Sequence, residues 1–356
     1  MKSLKSLCKE QLSKNFETIP FFPEQRLNKV AATALFDELP ISIAGSGAIA
    51  QYIFSETYFE RACSQLSFLG YRCEEHGFSF KRMYYELKAS QELLHAHENI
   101  PLATAEMIFS LKLSCAQDFP LDAVCSQLPN LNTLEIKYQA SPQPHAYLEC
   151  VPRALKVSPN LLTLSIQDSF LSDDDVAIMF GDDNCITYNI INLNLAHNNI
   201  TSTGLGVIVK QFLASPETVL CSLNLMGNRI DIDNEGGSKL TNAMAGNESL
   251  LSLNLRLNEI SDAGGQILIE SLEGNDTLEY LNLAGNKLSS RSAKALVKLL
   301  ESKDSSSLVE VDITSNSFGD DDEELIKSCK QCLLDMRGGS LPGRQEMFVG
   351  KSIMPF

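Results

Sequence analysis

The sequence lacks the long apolar run that a membrane-spanning helix requires. Apolar residues make up 44% of the 356 residues, yet no segment approaches the roughly 18 consecutive apolar positions of a bilayer span. The first 16 residues contain Lys2, Lys5 and Lys9 but no continuous apolar core, which a secretory signal needs. We therefore expect a cytoplasmic protein with neither a membrane span nor a signal peptide.

Sequence signatures of catalysis are also missing. The chain has no G-x-S-x-G nucleophile elbow, no H-E-x-x-H zinc helix and no P-loop. Its five histidines are too scattered to indicate a triad. These absences favour a protein that is not an enzyme and that needs no cofactor. An enzyme in the N-terminal region, with the rest of the chain selecting its substrate, is an alternative that no motif supports.

The ten cysteines show no regular spacing of the kind found in disulfide-rich domains. We interpret them as reduced thiols in a cytosol-like compartment. The pair at Cys329 and Cys332 has no second ligand pair near it. The other candidate zinc ligands are scattered side chains, namely Cys63, Cys73, His76, His95 and His97. Their spacing matches no zinc pattern, so we predict no metal site.

The sequence does contain a repeated pattern. Residues 190–200, 220–230, 250–260, 278–288 and 308–318 all fit L-x-x-L-x-L-x-x-N-x-L with conservative replacements. One slot is asparagine in all five, at intervals of 30, 30, 28 and 30 residues: Asn198, Asn228, Asn258, Asn286 and Asn316. Five copies at one period are strong evidence for a solenoid.

Each part of the repeat has a physical role. The L-x-L centre alternates with period two, which predicts a short strand whose apolar side chains point into the solenoid. The asparagine ends the strand, and we expect its amide to bond backbone groups of neighbouring turns. Apolar residues spaced by four then predict a helix whose stripe faces the strands. One repeat cannot bury this stripe alone, so the repeats stack.

A period of 28 to 30 with a helix in each repeat resembles the ribonuclease-inhibitor type of leucine-rich repeat. The resemblance implies an α/β solenoid shaped as a horseshoe, with a concave parallel sheet, convex helices and no catalytic residues. Three degenerate copies precede these repeats and begin at Ile108, Leu131 and Leu161. The last of them has Ser169 in the asparagine slot. We expect about eight strands and three segments: a helical N-terminal domain (1–104), the solenoid (105–336) and a C-terminal tail (337–356).

The N-terminal region does not show the repeat. Apolar spacing predicts helices at residues 26–39, 48–59 and 79–97. Gly45–Ala50 matches G-x-G-x-x-A, but no suitable strands flank it, so we interpret it as a turn. Leu39-Pro40, Ile53-Phe54-Ser55, the segment Phe80–Leu87 and Leu93-Leu94 resemble an F-box, which precedes leucine-rich repeats in ubiquitin-ligase adaptors. The gap after Leu39 is longer than in that family, and the chain has no tryptophan. The alternative is a helical cap on the first repeat.

The net charge of −16 is concentrated in the repeats. Residues 160–335 contain 27 acidic and 11 basic residues, whereas the remainder has 18 of each. An acidic surface disfavours nucleic acid and anionic membranes. It favours a protein partner with a basic patch, and the alternative is that it keeps the solenoid soluble. Acidic runs at residues 173–175 and 320–324 coincide with predicted helix starts. We interpret them as helix caps rather than calcium ligands, because no D-x-D-x-D-G loop is present.

We predict that the concave sheet carries the binding site. The residue between the two central apolar positions points outward there: Glu135, Ser165, Asn194, Asn224, Asn254, Asn282 and Asp312. Asparagine is common at this slot in the resembled family, so this column also fits simple hydration of the sheet. Neighbouring positions are more varied and include residue types that are enriched in interfaces: Lys137, Tyr138, Gln167, His197, Met226, Arg256, Leu257 and Tyr280.

These observations predict a non-catalytic protein that recognises a protein partner. Repeats of this type behind an unrelated helical segment are similar to effectors of intracellular bacteria, a resemblance that implies action in host cytosol. The F-box resemblance implies the alternative of an adaptor that binds a subunit of a ubiquitin ligase.

Overall fold

A computed structural model describes residues 56–65, 79–92, 105–106, 108–115, 120–138, 148–181, 189–214, 218–301, 307–319 and 322–336. Within these ranges the elements alternate as α1 (Glu56–Gln65), α2 (Phe80–Glu92), β1 (Ser110–Cys115), α3 (Leu121–Cys125), β2 (Thr133–Tyr138), α4 (Cys150–Val157), β3 (Thr163–Ile166), α5 (Asp173–Phe180), β4 (Asn192–Asn194), α6 (Ser202–Phe212), β5 (Ser222–Asn224), α7 (Glu235–Met244), β6 (Ser252–Asn254), α8 (Asp262–Glu270), β7 (Tyr280–Asn282), α9 (Ser290–Glu301), β8 (Glu310–Asp312) and α10 (Glu323–Met336). None of the helices in these ranges combines the length and apolar character needed to cross a bilayer.

The chain divides into two compact units. The first comprises Met1–Leu113 and Ala123–Leu134, and the second comprises Ser114–Asp122 and Glu135–Phe356. In the first unit, α1 and α2 pack through a cluster of aromatic rings. The ring centroid of Phe59 lies 5.2 Å from that of Tyr58 and 5.7 Å from those of Tyr84 and Tyr85. The helix predicted at 79–97 overlaps α2 at residues 80–92, and the helix predicted at 48–59 overlaps α1 at residues 56–59. Residues 26–39, 48–55 and 93–97 lie outside the described ranges.

Helix α2 contacts the start of β1 through Glu86, whose side chain is buried at 2% exposure. Its Oε1 accepts hydrogen bonds from the backbone N–H groups of Phe109 (2.9 Å) and Ser110 (2.8 Å). The same oxygen accepts a bond of 2.8 Å from Nε of Arg82, whose guanidinium lies 4.6 Å from the centroid of the Phe109 ring. A buried carboxylate is stable here because each contact supplies a donor or a positive charge.

The predicted α/β leucine-rich-repeat solenoid is confirmed. Eight parallel strands follow one another in chain order and alternate with helices. From β3 to β8 each residue pairs with the equivalent residue of the next repeat. Leu193, Leu223, Leu253 and Leu281 are therefore aligned across the sheet. These leucines are at most 2% exposed and form the core beneath the sheet. Strand alternation therefore places the neighbouring residues on the opposite, open face.

The asparagine slot behaves as predicted. Nδ2 of Asn228 donates to the carbonyl oxygens of Leu195 (3.0 Å) and Leu225 (2.9 Å), and its Oδ1 accepts the N–H of Ile200 (3.1 Å). Asn198, Asn258, Asn286 and Asn316 repeat this arrangement. Each amide thus joins two repeats at the point where the backbone leaves the sheet, and it satisfies groups that the ladder no longer pairs.

The acidic runs cap helices. Asp175 and Ser172 form a capping box at the start of α5, in agreement with the sequence prediction. Asp173 instead caps the helix of the next repeat, since its Oδ1 accepts the N–H groups of Thr201 (2.8 Å) and Gly204 (3.0 Å). Before α10, Asp322 accepts the N–H of Gly319 at 3.0 Å. Asp320 and Asp321 lie outside the described ranges, and the last helix starts at Glu323 rather than at residue 320.

Asp262 joins two repeats through an extensive set of hydrogen bonds to its carboxylate. It accepts the N–H groups of Ser289 (2.8 Å), Ser292 (3.0 Å) and Arg291 (3.2 Å) at the start of α9, and both serine hydroxyls. Partial burial raises its pKa, but the hydrogen bonds from Ser292 and Ser289 together outweigh it, and the pKa of Asp262 falls from 3.8 to about 2. These bonds therefore stabilise the charged form.

The pH dependence of stability should report this carboxylate. Because the folded pKa of Asp262 is lower than the unfolded value, its contribution is present above pH 3.8 and is lost as pH falls toward 2. Asp262→Asn should lower the free energy of unfolding by about 1 kcal/mol at neutral pH, since the site is partly solvated. Urea unfolding of both proteins between neutral pH and pH 2 measures this difference. A deficit that stays constant over that range would contradict the assignment.

Candidate functional site

The register defines three columns of side chains on the open face of the sheet in the second unit. The first column contains Thr163, Asn192, Ser222, Ser252, Tyr280 and Glu310, and the second contains Ser165, Asn194, Asn224, Asn254, Asn282 and Asp312. The third column lies two residues further along: Gln167, Ala196, Met226, Arg256, Ala284 and Thr314. Most of the predicted site residues therefore share one face, at successive levels of the stack.

The second column has a structural role that the sequence analysis did not anticipate. Oδ1 of Asn254 accepts the backbone N–H of Arg256 at 3.1 Å, and Asn194, Asn224, Asn282 and Asp312 each accept the N–H two residues later at 3.0–3.1 Å. Asn194 and Asn224 are only 8% and 6% exposed. This column therefore fixes the turn at the strand ends, and at Asn194 and Asn224 little of its surface is open to a partner.

The third column offers larger and more varied side chains. Met226 and Arg256 are half-exposed and occupy adjacent levels, with Ala196 and Ala284 on either side. Within the described part of the chain, the Arg256 guanidinium has neither an ion pair nor a hydrogen bond. A flexible sulfur-containing side chain beside an unpaired guanidinium is a combination typical of interface cores.

A rim of residues in the left-handed backbone conformation borders the third column. Its members directly precede the asparagine slot or Ser169: Asp168, His197, Gly227, Leu257, Gly285 and Ser315. Glycine adopts this conformation without strain, whereas His197 (φ 55°) and Leu257 (φ 56°) do not. Glycine alternates with the bulky residues here. A Cβ on Gly227 would lie 2.5 Å from Nδ1 of His197, and one on Gly285 would lie 2.6 Å from Cδ2 of Leu257.

Tyr138 was wrongly placed on this surface. It is 4% exposed, because it follows the inward alternation of Leu134 and Ile136 in β2. Its neighbour Lys137 is exposed and pairs with Asp168 at 3.2 Å, a contact that contributes little in solvent. His197 and Leu257 are exposed, Gln167, Tyr280, Asn282 and Asp312 are half-exposed, and the predicted column member Glu135 is half-exposed.

Other candidates from the sequence lie elsewhere. In the segment Phe80–Leu87, the side chains of Met83, Tyr84, Tyr85 and Leu87 are buried, while the remaining parts of the F-box resemblance and Gly45–Ala50 lie outside the described residues. No three His, Cys, Asp or Glu side chains of the described ranges are close enough together to hold a metal ion. Of the proposed zinc ligands, Cys63 is described and is buried.

Comparisons with known proteins agree with the repeat fold. Residues 189–209, 246–268 and 274–297 match the family model for the leucine-rich repeat. These three segments are similar to leucine-rich repeats, and they lie within the solenoid of alternating strands and helices. This repeat is generally a protein-binding module and is usually non-catalytic. No curated protein matches the sequence.

Several solved structures are similar to the chain. An internalin (inlF) from Listeria monocytogenes has 18% identity and a TM-score of 0.37, over 65% of this chain and 61% of the internalin. The mouse RP105/MD-1 complex has 16% identity and a TM-score of 0.33, over 64% of this chain and 45% of the matched one. A complex of Latrophilin 3, Unc5D and FLRT2 has 13% identity and a TM-score of 0.32, over 62% and 78%. The chain thus spans about three fifths of the internalin, and these likenesses concern the fold alone.

Proposed function

We propose that the protein recognises a protein partner through the open face of its sheet, with an anchoring cluster formed by His197, Met226, Arg256 and Leu257. The observation that carries this proposal is the conformation of Leu257. Its side chain is 46% exposed and its backbone is left-handed. A branched apolar residue in that conformation costs about 1–2 kcal/mol. Nothing in the core requires it, since the same slot holds glycine in both adjacent repeats.

Backbone strain at an exposed position is typical of ligand-binding sites. Leu257 presents an apolar surface beside the unpaired guanidinium of Arg256, and His197 presents an imidazole two levels away. The glycines of the next levels, Gly227 and Gly285, leave room for the His197 and Leu257 side chains that lie over them. A rigid scaffold that presents a few anchors loses little entropy on binding.

The finer features of the partner follow from charge and resemblance. The acidic excess of residues 160–335 supports a partner with a basic patch and disfavours nucleic acid or an anionic membrane. Action as a bacterial effector in host cytosol rests on the resemblance of the domain arrangement. The F-box-like adaptor is the alternative, and the contacts of Glu86 with Phe109 and Ser110 support a capping role for α2 instead.

Leu257→Gly should separate binding from stability. The substitution removes the anchor and relieves the left-handed conformation, so the melting temperature should stay constant or rise. Capture of the partner should weaken by about 10-fold or more. Wild type and variant, used as baits in eukaryotic cytosol, are compared by quantitative mass spectrometry.

Ser315→Gly is the matched control. Ser315 occupies the same left-handed slot but has a small side chain, so this variant should gain the same backbone relief and keep its partners. If Leu257→Gly captures every protein that wild type captures, at equal yield, the sheet face does not carry recognition.

A further inference from the structure

A second apolar surface lies at the opposite ends of the strands, where the chain enters the sheet. We define the edge stripe as Leu162, Ile191, Cys221 and Leu251, which occupy one slot in four successive repeats, two residues before an inward leucine. Leu162 and Leu251 are 39% and 41% exposed, and Ile191 and Cys221 are half-exposed. These side chains are distinct from the sheet-face cluster, and the proposed function does not use them.

The backbone aligns the edge stripe into a straight row. The carbonyl oxygen of Ile191 accepts the N–H groups of Cys221 (2.8 Å) and Ser222 (3.0 Å) in the next repeat. Leu162, Cys221 and Leu251 accept two N–H groups in the same way. The side chains are therefore spaced as neighbouring strands are, about 4.8 Å apart, and the stripe is about 14 Å long.

Packing does not require apolar residues in this slot. The repeat after Leu251 has Glu279 there, and its carbonyl accepts the N–H groups of Val309 and Glu310 at 2.7 and 3.0 Å as in the other repeats. A charged residue thus serves the backbone equally well. A solvent-facing slot that is apolar in four successive repeats indicates a surface that contacts another molecule.

Charge around the edge stripe is of one sign. Glu248 and Asp276 are exposed and precede Leu251 and Glu279 by three residues, and Glu279 and Glu310 are half-exposed. The described strand-entrance segments, residues 159–165, 189–194, 218–224, 246–254, 275–282 and 307–312, contain no lysine or arginine. An occupant should therefore combine an apolar face with basic residues.

We propose that the edge stripe binds an amphipathic α-helix that carries lysine or arginine beside its apolar face. Residues three or four positions apart on a helix are separated by about 4.5–6 Å along its axis, which is close to the spacing of the strands. Side chains on one face of an extended peptide are ~6.8 Å apart, so they no longer match the strand spacing after two contacts. The helix lies across the strands and directs its basic side chains toward Glu248, Asp276, Glu279 and Glu310.

A synthetic helix tests the proposal with the full-length protein. The probe is a fluorescent leucine–lysine peptide of about 18 residues, or roughly five turns, with leucine at i, i+3, i+4 and i+7. Its controls are a leucine–glutamate peptide of the same pattern and a scrambled leucine–lysine peptide. Fluorescence anisotropy should show binding of the patterned leucine–lysine peptide alone. Leu162→Ser combined with Leu251→Ser should weaken it by about 10-fold or more, whereas Ile267→Ser, at an equally exposed apolar residue of α8, should have no effect.

Cys221 provides a readout at the site itself. Among the cysteines whose side chains the structure describes, Cys221 is half-exposed, whereas Cys63, Cys125, Cys150 and Cys329 are buried. Bound peptide should slow alkylation of Cys221 by iodoacetamide at least several-fold. Equal binding of the glutamate or scrambled peptide, equal loss in Ile267→Ser, or no protection of Cys221 would overturn the proposal. So would sedimentation of wild type as a dimer that the Leu162→Ser, Leu251→Ser variant converts to monomer, because a second copy would then cover the stripe.

Discussion

Replacement of Glu86 by alanine should lower the free energy of unfolding by about 3 kcal/mol. The substitution leaves the N–H groups of Phe109 and Ser110 without the acceptor at 2.9 and 2.8 Å, and it deprives the Arg82 guanidinium of its carboxylate. These groups are buried or half-buried, so water replaces the lost bonds poorly. Chemical denaturation measures the total loss, and hydrogen exchange at Phe109 and Ser110 measures it locally.

Two further substitutions make this test specific. Glu86→Gln keeps one acceptor oxygen but removes the charge, so it should cost about half as much as Glu86→Ala. Glu106→Ala is the control, because its side chain is exposed in the same unit, and it should change stability by less than about 0.5 kcal/mol. Equal stability of Glu86→Ala and wild type, or unchanged exchange at Ser110, would show that the carboxylate does not hold the edge of β1.

The role of Glu86 becomes clear from the repeats that follow. The N–H groups of Asn132 and Thr133 both bond the carbonyl oxygen of Phe109, and strands β4 to β8 each enter the sheet through an equivalent pair. Within the described residues no earlier repeat precedes β1 to supply that oxygen, and Oε1 of Glu86 takes its place. Ser90 of the same helix also provides an acceptor to β1, since its hydroxyl accepts the N–H of Lys112 at 3.3 Å. Helix α2 thus completes an edge that would otherwise expose unpaired backbone groups.

The repeat region could be predicted from the sequence because its stabilising groups recur at one period. Leu193, Leu223 and Leu253 share a core position, and Asn228 and Asn258 share a hydrogen-bonding role, so each copy supports the interpretation of the others. The first three strands were recognisable as degenerate copies for the same reason. Their apolar positions were kept even where Ser169 replaced asparagine, and its hydroxyl still accepts the N–H of Tyr138 at 2.9 Å.

The features that escaped prediction depend on single contacts across the chain or on exposure. Glu86 bonds residues 23 and 24 positions away, and no local pattern marks that pairing. Tyr138 was misplaced because it was chosen as a residue type that is enriched in interfaces, whereas strand alternation buried it. The left-handed rim did have a signal, since Gly227 and Gly285 occupy the slot of Leu257 in adjacent repeats. The edge stripe required the observation that a slot beside the strand faces solvent.

Asn258→Ala should destabilise the protein by about 3 kcal/mol through the loss of one side chain shared by two repeats. Asn258 is 6% exposed; its Nδ2 donates to the carbonyls of Leu225 (2.9 Å) and Leu255 (3.0 Å), and its Oδ1 accepts the N–H of Ile230 at 3.0 Å. The two carbonyls keep one partner each, because Asn228 and Asn286 also donate to them. The N–H of Ile230 loses its acceptor in a buried setting, and this should dominate the cost.

The direction of the Asn258 hydrogen bonds can be tested with aspartate. Asn258→Asp keeps an acceptor for Ile230 but places a carboxylate against carbonyl oxygens, so at neutral pH it should be less stable than Asn258→Ala. The folded state should then raise the pKa of the new carboxyl. Part of the loss should be recovered as pH falls through this raised pKa toward the ordinary aspartate value of about 3.9, because the protonated group regains one donor. Asn199→Ala, which removes a part-exposed amide with one bond of 3.3 Å to the carbonyl of Phe170, should cost less than about 0.5 kcal/mol. Urea unfolding of wild type and these three variants at neutral and acidic pH ranks their free energies of unfolding. If Asn258→Asp were as stable as wild type at neutral pH, the Asn258 amide would not donate to these carbonyls.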